Sequence, residues 1–456
     1  MKRLILVIVA IVFSSCSFDN KTGIWKDASN ISLENQENKS ISNNSPEVRY
    51  EDIFVKNKSF NEIKDPITLT NIKISAPIKI NNWHEQFAIP SNNISNFYYS
   101  GNKNLLSKSR KLSRHSYKKS SLVRKAIFYE NNLISHDHKG KIFIYSQSLK
   151  KKIFEYNFYK KKFKNFNKVI NLIINNNTLY AADNLGYVYA LDLNNNSILW
   201  AKNYGIPFRS NLKFINDQII LANQDNVIYS INAKTGEKNW QFATSLTFLK
   251  SDFENNFSIH LINNTLIFLN TSGELYSIDI SSQKINWVLN FKNPSLAGET
   301  ELFLSYPVVI KNNNIIITTE KAILNYDIQT ASRNWILPAE PIFKPIVTFD
   351  YTYVVLKDNL LICLDNESGS VVWSKSIFSN TMKEKAINKF DAVIDFKIVN
   401  GEINIYFSGG YLLSYNINDG NLIYLNRISK NGINSEIVFL NENMLFIDRK
   451  NKLLKF

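Results

Sequence analysis

The sequence contains one group of side chains that could bind a metal ion. His136, Asp137 and His138 are adjacent, and two imidazoles with a carboxylate are ligands that Zn²⁺ accepts. Residues 136 and 138 would share one face of a β-ribbon, but no third histidine is close in the sequence, and Gly140 follows at once. We therefore interpret the group as a solvated turn and predict no metal site.

Other catalytic chemistry finds little support in the sequence. It has no Gly-rich phosphate loop, no GxSxG nucleophile elbow and no HExxH zinc motif, which mark common enzyme classes. Cys363 lies between Ile362 and Leu364 in a strand-like pattern, which favours a packed, inert thiol over a nucleophile. These observations favour a protein without catalytic residues.

Any site in this chain must be positioned by a repeat of about 45 residues. Residues 178–200 show one unit, in which the short strands TLYAAD, YVYALD and ILW are separated by turns. Each unit ends on an aromatic residue, which we predict to be structural and to pack between neighbouring units. These aromatic residues are Phe154, Trp200, Trp240, Trp287, Trp335, Trp373 and Tyr424.

The spacing before each terminal aromatic residue is constant. Residues nine and eleven positions earlier are large and apolar or aromatic, which is the alternation of a β-strand. Eight positions earlier stands a small polar residue that can hydrogen bond its own backbone in a turn. These turn residues are Ser146, Asp192, Asn232, Asp279, Asp327, Asp365 and Asn416. The strands therefore keep their register, and length differences fall in loops.

The two ends of the repeat region predict a closed ring. Residues 452–456 match a third strand that has no fourth strand after it, and Trp83, in INNWHEQF, resembles that missing strand near the start. Closure would remove the exposed edges of an open array. We predict an all-β fold over residues 77–456, an eight-bladed β-propeller of four-stranded antiparallel blades closed by the N-terminal strand around Trp83.

The N-terminus has the features of an export signal. Lys2 and Arg3 precede ten apolar residues, 4–13, and small residues stand before Cys16. The apolar run is too short for a transmembrane helix, which needs about 20 residues. We predict a signal peptide over 1–15 and lipidation at Cys16, with simple secretion as the alternative, because the small residues resemble the lipobox of bacterial lipoproteins. Residues 16–76 are polar and are predicted to form a flexible, lipid-anchored tether.

Positive charge is concentrated in one segment. The chain has a net charge of +15, and nine Lys or Arg but no acidic residue fall between Lys103 and Lys125. Nucleic acid is not an expected partner of an exported lipoprotein. The segment is either a mobile solvated loop or a contact to anionic lipid or to an acidic partner surface.

The repeat unit resembles the PQQ-type propeller repeat, most clearly in the sequence NAKTGEKNW from Asn232 to Trp240. Together with the lipoprotein signal, the chain is similar to the BamB family of the outer-membrane β-barrel assembly machinery, whose first blade also resembles NFYYS at 96–100. The resemblance implies a non-catalytic scaffold without a cofactor, anchored by its lipid on the periplasmic face of the outer membrane. Its implied partners are the barrel-forming subunit and nascent outer-membrane proteins.

The resemblance also implies a docking segment. In that family the contact to the barrel-forming subunit comes from a Ser-Leu-Thr-apolar-basic stretch, which reads SLTFLK at 245–250 here. The carried-over partner-binding residues are Leu246, Phe248 and Lys250, and the alternative for the first two is a strand facing the core. A second family contact corresponds to residues 301–305, ELFLS, which lack the aspartates of that family.

Two other functions stay open. The same repeat builds quinoprotein dehydrogenases, which hold pyrroloquinoline quinone (PQQ) and Ca²⁺ with carboxylate and amide ligands. Many of those enzymes have an adjacent cysteine pair, which this sequence lacks. The other alternative is a periplasmic propeller that binds an unknown ligand.

Overall fold

The computed structural model describes the backbone of residues 16–19 and 24–27 and, at full detail, eleven further stretches or single positions. These are 48–51, 58–66, 72–101, 104–113, 125, 127–159, 163, 165–244, 256–291, 303–378 and 388–456. The chain divides into two units, 1–45 and 46–456. In the first unit, β1 (Cys16–Asp19) pairs antiparallel with β2 (Ile24–Asp27). Among the described residues, no helix is long and apolar enough to cross a membrane.

The second unit consists of eight antiparallel sheets, numbered here as blades 1 to 8 in chain order. Blade 1 comprises β5 (Ile127–Tyr129), β6 (Asn132–His136), β7 (Lys141–Ser146) and β8 (Lys151–Asn157), and blade 2 comprises β9 (Ile170–Asn175), β10 (Thr178–Asp183), β11 (Tyr187–Asp192) and β12 (Ser197–Asn203). Blade 3 comprises β13 (Lys213–Ile215), β14 (Gln218–Ala222), β15 (Val227–Asn232) and β16 (Lys238–Ala243), and blade 4 comprises β17 (Asn256–His260), β18 (Thr265–Leu269), β19 (Glu274–Asp279) and β20 (Lys284–Asn290).

Blades 5 to 8 follow the same plan, except that the fourth strand of blade 8 comes from earlier in the chain. Blade 5 comprises β21 (Val309–Lys311), β22 (Asn314–Thr318), β23 (Ala322–Asp327) and β24 (Arg333–Pro338), and blade 6 comprises β25 (Ile346–Val347), β26 (Tyr351–Leu356), β27 (Leu360–Asp365) and β28 (Val371–Ser376). Blade 7 comprises β29 (Val393–Val399), β30 (Glu402–Phe407), β31 (Tyr411–Asn416) and β32 (Leu422–Arg427), and blade 8 comprises β33 (Val438–Leu440), β34 (Asn443–Ile447), β35 (Leu453–Lys455) and β4 (Ser107–Lys108). The all-β, eight-bladed propeller of four-stranded antiparallel blades is thus confirmed.

The terminal aromatic residues lie on the fourth strands, where a β-bulge sets their direction. In blade 2, Trp200 pairs with Ala190, and the register shifts before the next pair, Leu191 with Ile198. The same shift occurs in all seven blades that are continuous in sequence. Since a bulge bends the strand and re-aims a side chain, a constant bulge gives the aromatic residue the same position in every blade.

Four of these indoles donate a hydrogen bond to the following blade. Each Nε1 donates to a backbone carbonyl in the turn between the third and fourth strands of that blade. The pairs are Trp200 with Ala233 at 2.9 Å, Trp287 with Ile328 at 2.9 Å, Trp335 with Asn366 at 2.7 Å and Trp373 with Ile417 at 3.2 Å. The apolar clusters accordingly lie between adjacent blades rather than within one blade.

The strand that closes the ring is β4, and the prediction that Trp83 provides it is wrong. Ser107 pairs with Lys455 and Lys108 pairs with Leu454, so the N-terminal side of the chain completes blade 8. Trp83 instead forms an antiparallel bridge with Phe128, on the first strand of blade 1. It therefore does not occupy the aromatic position on a fourth strand, where blade 8 has Ser107.

The segment before the propeller is also attached to it. β3 (Val48–Tyr50) pairs in parallel with β20 as a fifth strand of blade 4. The Phe60 N–H donates to the carbonyl of Pro338, the last residue of β24, at 2.8 Å, and Lys64 pairs with Ser374 on β28. We call residues 48–66 the edge segment. Within the predicted tether over 16–76, the described residues of the edge segment therefore contact the outer strands of blades 4, 5 and 6.

Candidate functional site

The first strands of the blades line the central channel of the propeller. First strands of consecutive blades contact one another, as β9 does with β13 and β17 with β21, so they form the inner ring on which the blades converge. A site on the axis of this fold would be built from these strands and from whatever lies inside them.

Residues 78–101, which we call the channel loop, lie inside this ring. The loop begins and ends side by side, since the Ile78 N–H donates to the Asn96 carbonyl at 2.9 Å and the Tyr98 N–H to the Ile78 carbonyl at 3.0 Å. Between these points it follows the ring from blade to blade. The channel loop is thus an Ω-loop, closed at its base.

The channel loop contacts the blades in order around the axis. It bonds Asn441, after β33 of blade 8, through Ile80; Phe128 of blade 1 through Trp83; Ile174 of blade 2 through His84; Lys213 of blade 3 through Glu85; Ile259 of blade 4 through Pro90; Ile310 of blade 5 through Ser91; Val347 of blade 6 through Asn93; and Ile398 of blade 7 through Phe97. All eight blades therefore hydrogen bond to one continuous segment.

A buried ion pair fixes the loop against blade 3. The Nζ of Lys213 lies 2.6 Å from Oε2 of Glu85 and 2.7 Å from Oδ1 of Asn92. Lys213 and Asn92 are fully buried, and Glu85 is 7% exposed. Burial lowers the pKa of the Lys213 ammonium and raises the pKa of the Glu85 carboxyl, while their mutual attraction opposes both changes. The pair is thus excluded from water, and its electrostatic attraction is stronger in the protein interior than it would be in water.

Asn92 connects three blades. Its Nδ2 donates to the Phe257 carbonyl at 2.8 Å, in blade 4, and to the Val308 carbonyl at 2.9 Å, just before blade 5. Its Oδ1 accepts from Lys213 in blade 3. The residue has a positive φ of 58°, a conformation that asparagine tolerates better than most residues. Its donors and its acceptor are therefore all used within the protein.

A second charged group lies beside Trp83, on the side of blades 6 to 8. The Nζ of Lys397 lies 2.9 Å from Oδ2 of Asp395 and 5.8 Å from the centroid of the Trp83 ring. The Nζ of Lys344 lies 5.3 Å from the centroid of Phe87 in the channel loop. Burial, with the nearby Lys397 ammonium, lowers the pKa of Lys344 to about 7. Cationic and aromatic groups thus hold this side of the loop.

These channel residues do not fit a quinone with Ca²⁺. Calcium requires six to eight oxygen ligands from carboxylates, amides and carbonyls. The buried carboxylate of Glu85 and the amide of Asn92 already bond the Lys213 ammonium, which would repel a cation. The other buried amides of the channel loop, Asn93 and Asn96, bond backbone groups. The channel loop also occupies the inner ring that a cofactor on the axis would need. We therefore assign no such site.

The group His136, Asp137 and His138 forms a turn. Oδ1 of Asp137 accepts from the backbone N–H groups of Lys139 and Lys141, each at 3.0 Å, and Oδ2 accepts from Ser113 at 3.1 Å. The turn is not fully solvated, because Asp137 is 2% exposed. Over the described ranges, no group of three or more His, Cys, Asp or Glu side chains could hold a metal ion.

The predicted docking residues Leu246, Phe248 and Lys250 lie outside the described residues. The segment that contains them joins β16 of blade 3, which ends at Ala243, to β17 of blade 4, which begins at Asn256. The predicted lipidation residue Cys16 belongs to β1 of the first unit. The other cysteine, Cys363, is buried in blade 6, and burial raises the pKa of its thiol.

Sequence comparison matches residues 166–375 to the family described as outer membrane protein assembly factor BamB. Blades 2 to 6 fall within the matched stretch. This stretch includes the unit from Asn232 to Trp240 and four of the indoles that donate to the next blade. No curated protein sequence matches the chain.

Solved structures share the fold of this propeller. BamB from Moraxella catarrhalis is similar with a TM-score of 0.60 and 12% identity, over 77% of this chain and 98% of that chain. The quinohemoprotein alcohol dehydrogenase from Comamonas testosteroni has a TM-score of 0.60 and 10% identity, over 82% and 80%. A europium-containing methanol dehydrogenase has a TM-score of 0.57 and 10% identity, over 82% and 89%. Because assembly factors and dehydrogenases both adopt this fold, the fold does not choose between them.

Proposed function

We propose that the protein is a non-catalytic scaffold subunit of the outer-membrane β-barrel assembly complex. The observation that carries this proposal is the channel loop, which fills the inner ring of a propeller whose blades 2 to 6 fall within the stretch matched to the BamB family. A chain that uses its own axial channel for an internal segment keeps its outer loops for partners. Function is thus expected on the connections between blades.

The segment between blades 3 and 4 is the proposed docking site for the periplasmic part of the barrel-forming subunit. Leu246 and Phe248 each follow a polar residue, Leu249 adds a further apolar side chain, and Lys250 adds a positive charge. Apolar anchors with a neighbouring charge are common at the centres of protein interfaces. Nascent outer-membrane proteins are a further proposed partner.

The quinoprotein alternative is weaker, since it requires space and ligands on the axis. Glu85 and Asn92, which could serve Ca²⁺, are bonded to Lys213. A propeller that binds a small ligand at its axis meets the same obstacle. A ligand bound to an outer loop would leave the channel loop in place, so this possibility is compatible with the scaffold proposal.

Site-specific photocross-linking in cells tests the docking proposal. A photoreactive amino acid placed at Phe248 should cross-link to the barrel-forming subunit. The matched control is Phe349, an exposed phenylalanine in the turn after β25. In an antiparallel blade this turn lies on the face opposite to the connections between blades. Cross-linking from Phe349 but not from Phe248, or from neither position, would refute the proposed docking site.

We further propose that the chain is anchored by lipid on Cys16 at the periplasmic face of the outer membrane. Cells fed labelled palmitate should label the wild type and Cys363→Ser but not Cys16→Ser, and only Cys16→Ser should be released from the membrane. The control is direct because the sequence has two cysteines. Label retained by Cys16→Ser would overturn the anchor.

A further inference from the structure

The seam that closes the propeller is short. In blade 2 the third and fourth strands share six residue pairs, whereas β35 and β4 share two. A few bonds extend the seam, such as the Ser109 N–H to the Leu453 carbonyl at 2.9 Å and the Leu112 N–H to the Asn451 carbonyl at 2.8 Å. Because an open ring would expose the apolar faces of blades 1 and 8, a weak seam calls for a second means of closure.

The channel loop has the properties of a bound ligand. Trp83 and Asn96 are each 1% exposed, and Asn92 is fully buried. The inner ring presents matching groups to the loop. In blade 3, the Lys213 ammonium donates to Glu85. In blade 6, the N–H and the carbonyl of Val347 bond the Asn93 side chain at 3.1 and 2.9 Å. Polar groups of the inner strands are therefore paired with the loop rather than with water.

The loop spans the seam itself. It starts against blade 8, where Ile80 accepts from the Asn441 N–H at 2.8 Å, and passes next to blade 1, where Trp83 and Phe128 exchange both backbone hydrogen bonds. It returns to blade 8 through the Ser100 N–H, which donates to Glu442 at 3.0 Å. Blades 8 and 1 are thus joined inside the channel as well as at the outer edge.

We propose that the channel is a peptide-binding site whose ligand is the protein's own channel loop, and that docking of this loop closes the ring. The ion pair between Lys213 and Glu85 sets the register in which the loop docks, a role that a buried polar residue has in some other proteins. This role is independent of the proposed scaffold function, because it requires no other protein.

Cutting the full-length chain on both sides of the loop tests this proposal. One protease site is inserted after Gly101, where a side chain would meet no atom within 4 Å. The second is inserted between residues 66 and 72, which separates the loop from the edge segment. After cleavage and gel filtration, the fragment that contains the loop should stay bound to the propeller and leave only as the propeller unfolds. Separation of the fragment from a propeller that keeps its unfolding midpoint would overturn the proposal.

Variants of the ion pair test the register. In the cleaved protein, Lys213→Met should release the fragment at a clearly lower urea concentration than the control Lys141→Met, which removes an exposed lysine paired with Glu155 at 3.3 Å. If Lys213→Met does not fold, Lys213→Met combined with Glu85→Leu replaces both charges with apolar groups. This double variant should fold and retain the fragment. Equal release from Lys213→Met and Lys141→Met, or a double variant that folds without retaining the fragment, would contradict the assignment.

Discussion

The indole of Trp200, on the fourth strand of blade 2, lies directly against Gly236, in the last turn of blade 3. A Cβ at Gly236 would be 2.3 Å from Cε3 of Trp200, and the residue has a φ of +70°. The same relationship joins Trp335 to Gly369 and Trp373 to Gly420. Glycine thus lets the aromatic side chain of one blade dock under the turn of the next.

Gly236→Ala should destabilise the protein by about 3 kcal/mol, because it combines overpacking with a strained positive φ. The control is Gly205→Ala, where φ is +78° but a Cβ would meet no atom within 4 Å. That control variant should lower the free energy of unfolding by only about 1 kcal/mol. Urea unfolding of the two variants gives both values. Equal losses would show that the contact with Trp200 contributes nothing.

Ser109→Pro should destabilise the closing seam more than Ser109→Ala does. Proline removes the hydroxyl and also the N–H that donates to the Leu453 carbonyl, which leaves that carbonyl unpaired at a further cost of about 1–3 kcal/mol. Alanine keeps that N–H and removes only the hydroxyl, which accepts from the Leu453 N–H at 2.8 Å, for about 1 kcal/mol. Unfolding midpoints of the two variants are compared. If they coincide, β4 does not close the ring.

Stability should rise with pH through Lys344. Its pKa is lowered to about 7 in the folded protein from an ordinary value of 10.5, so the unfolded state binds more protons between these values. The free energy of unfolding therefore increases with pH across that window. From pH 7 to pH 9, the free energy of unfolding of the wild type should rise by about 1–2 kcal/mol relative to that of Lys344→Met. This is less than the pKa difference alone would give, because the side chain keeps some contact with water. A constant or shrinking difference in urea unfolding would contradict this.

The blades could be predicted from the sequence because their signals are local. The sequence predicts Asp192 and Asp327 as turn residues, and each accepts backbone N–H groups two and three residues later. Hydrophobic alternation and the constant distance to Trp200 or Trp335 likewise fall within one repeat. Such patterns depend on neighbours in the chain, so a single sequence reveals them.

The channel could not be predicted, because its contacts join distant residues. Asn92 bonds Phe257 and Val308, which are 165 and 216 residues away, and the loop has no strand or helix periodicity. The closing strand β4 has two residues, too few for an alternating pattern. Trp83 has the residue type and the neighbours of a terminal blade residue, and only its partner Phe128 shows that it belongs to the channel.

The central claim, that the protein's own loop closes the channel and leaves no site for a quinone, is tested most directly by amide hydrogen exchange. The amides of Ile174, Ile259 and Ile310 donate to carbonyls of the channel loop. In the full-length protein these amides should exchange slowly, at rates that do not change when PQQ and Ca²⁺ are added. Fast exchange in the free protein that slows on addition of PQQ and Ca²⁺ would contradict the account.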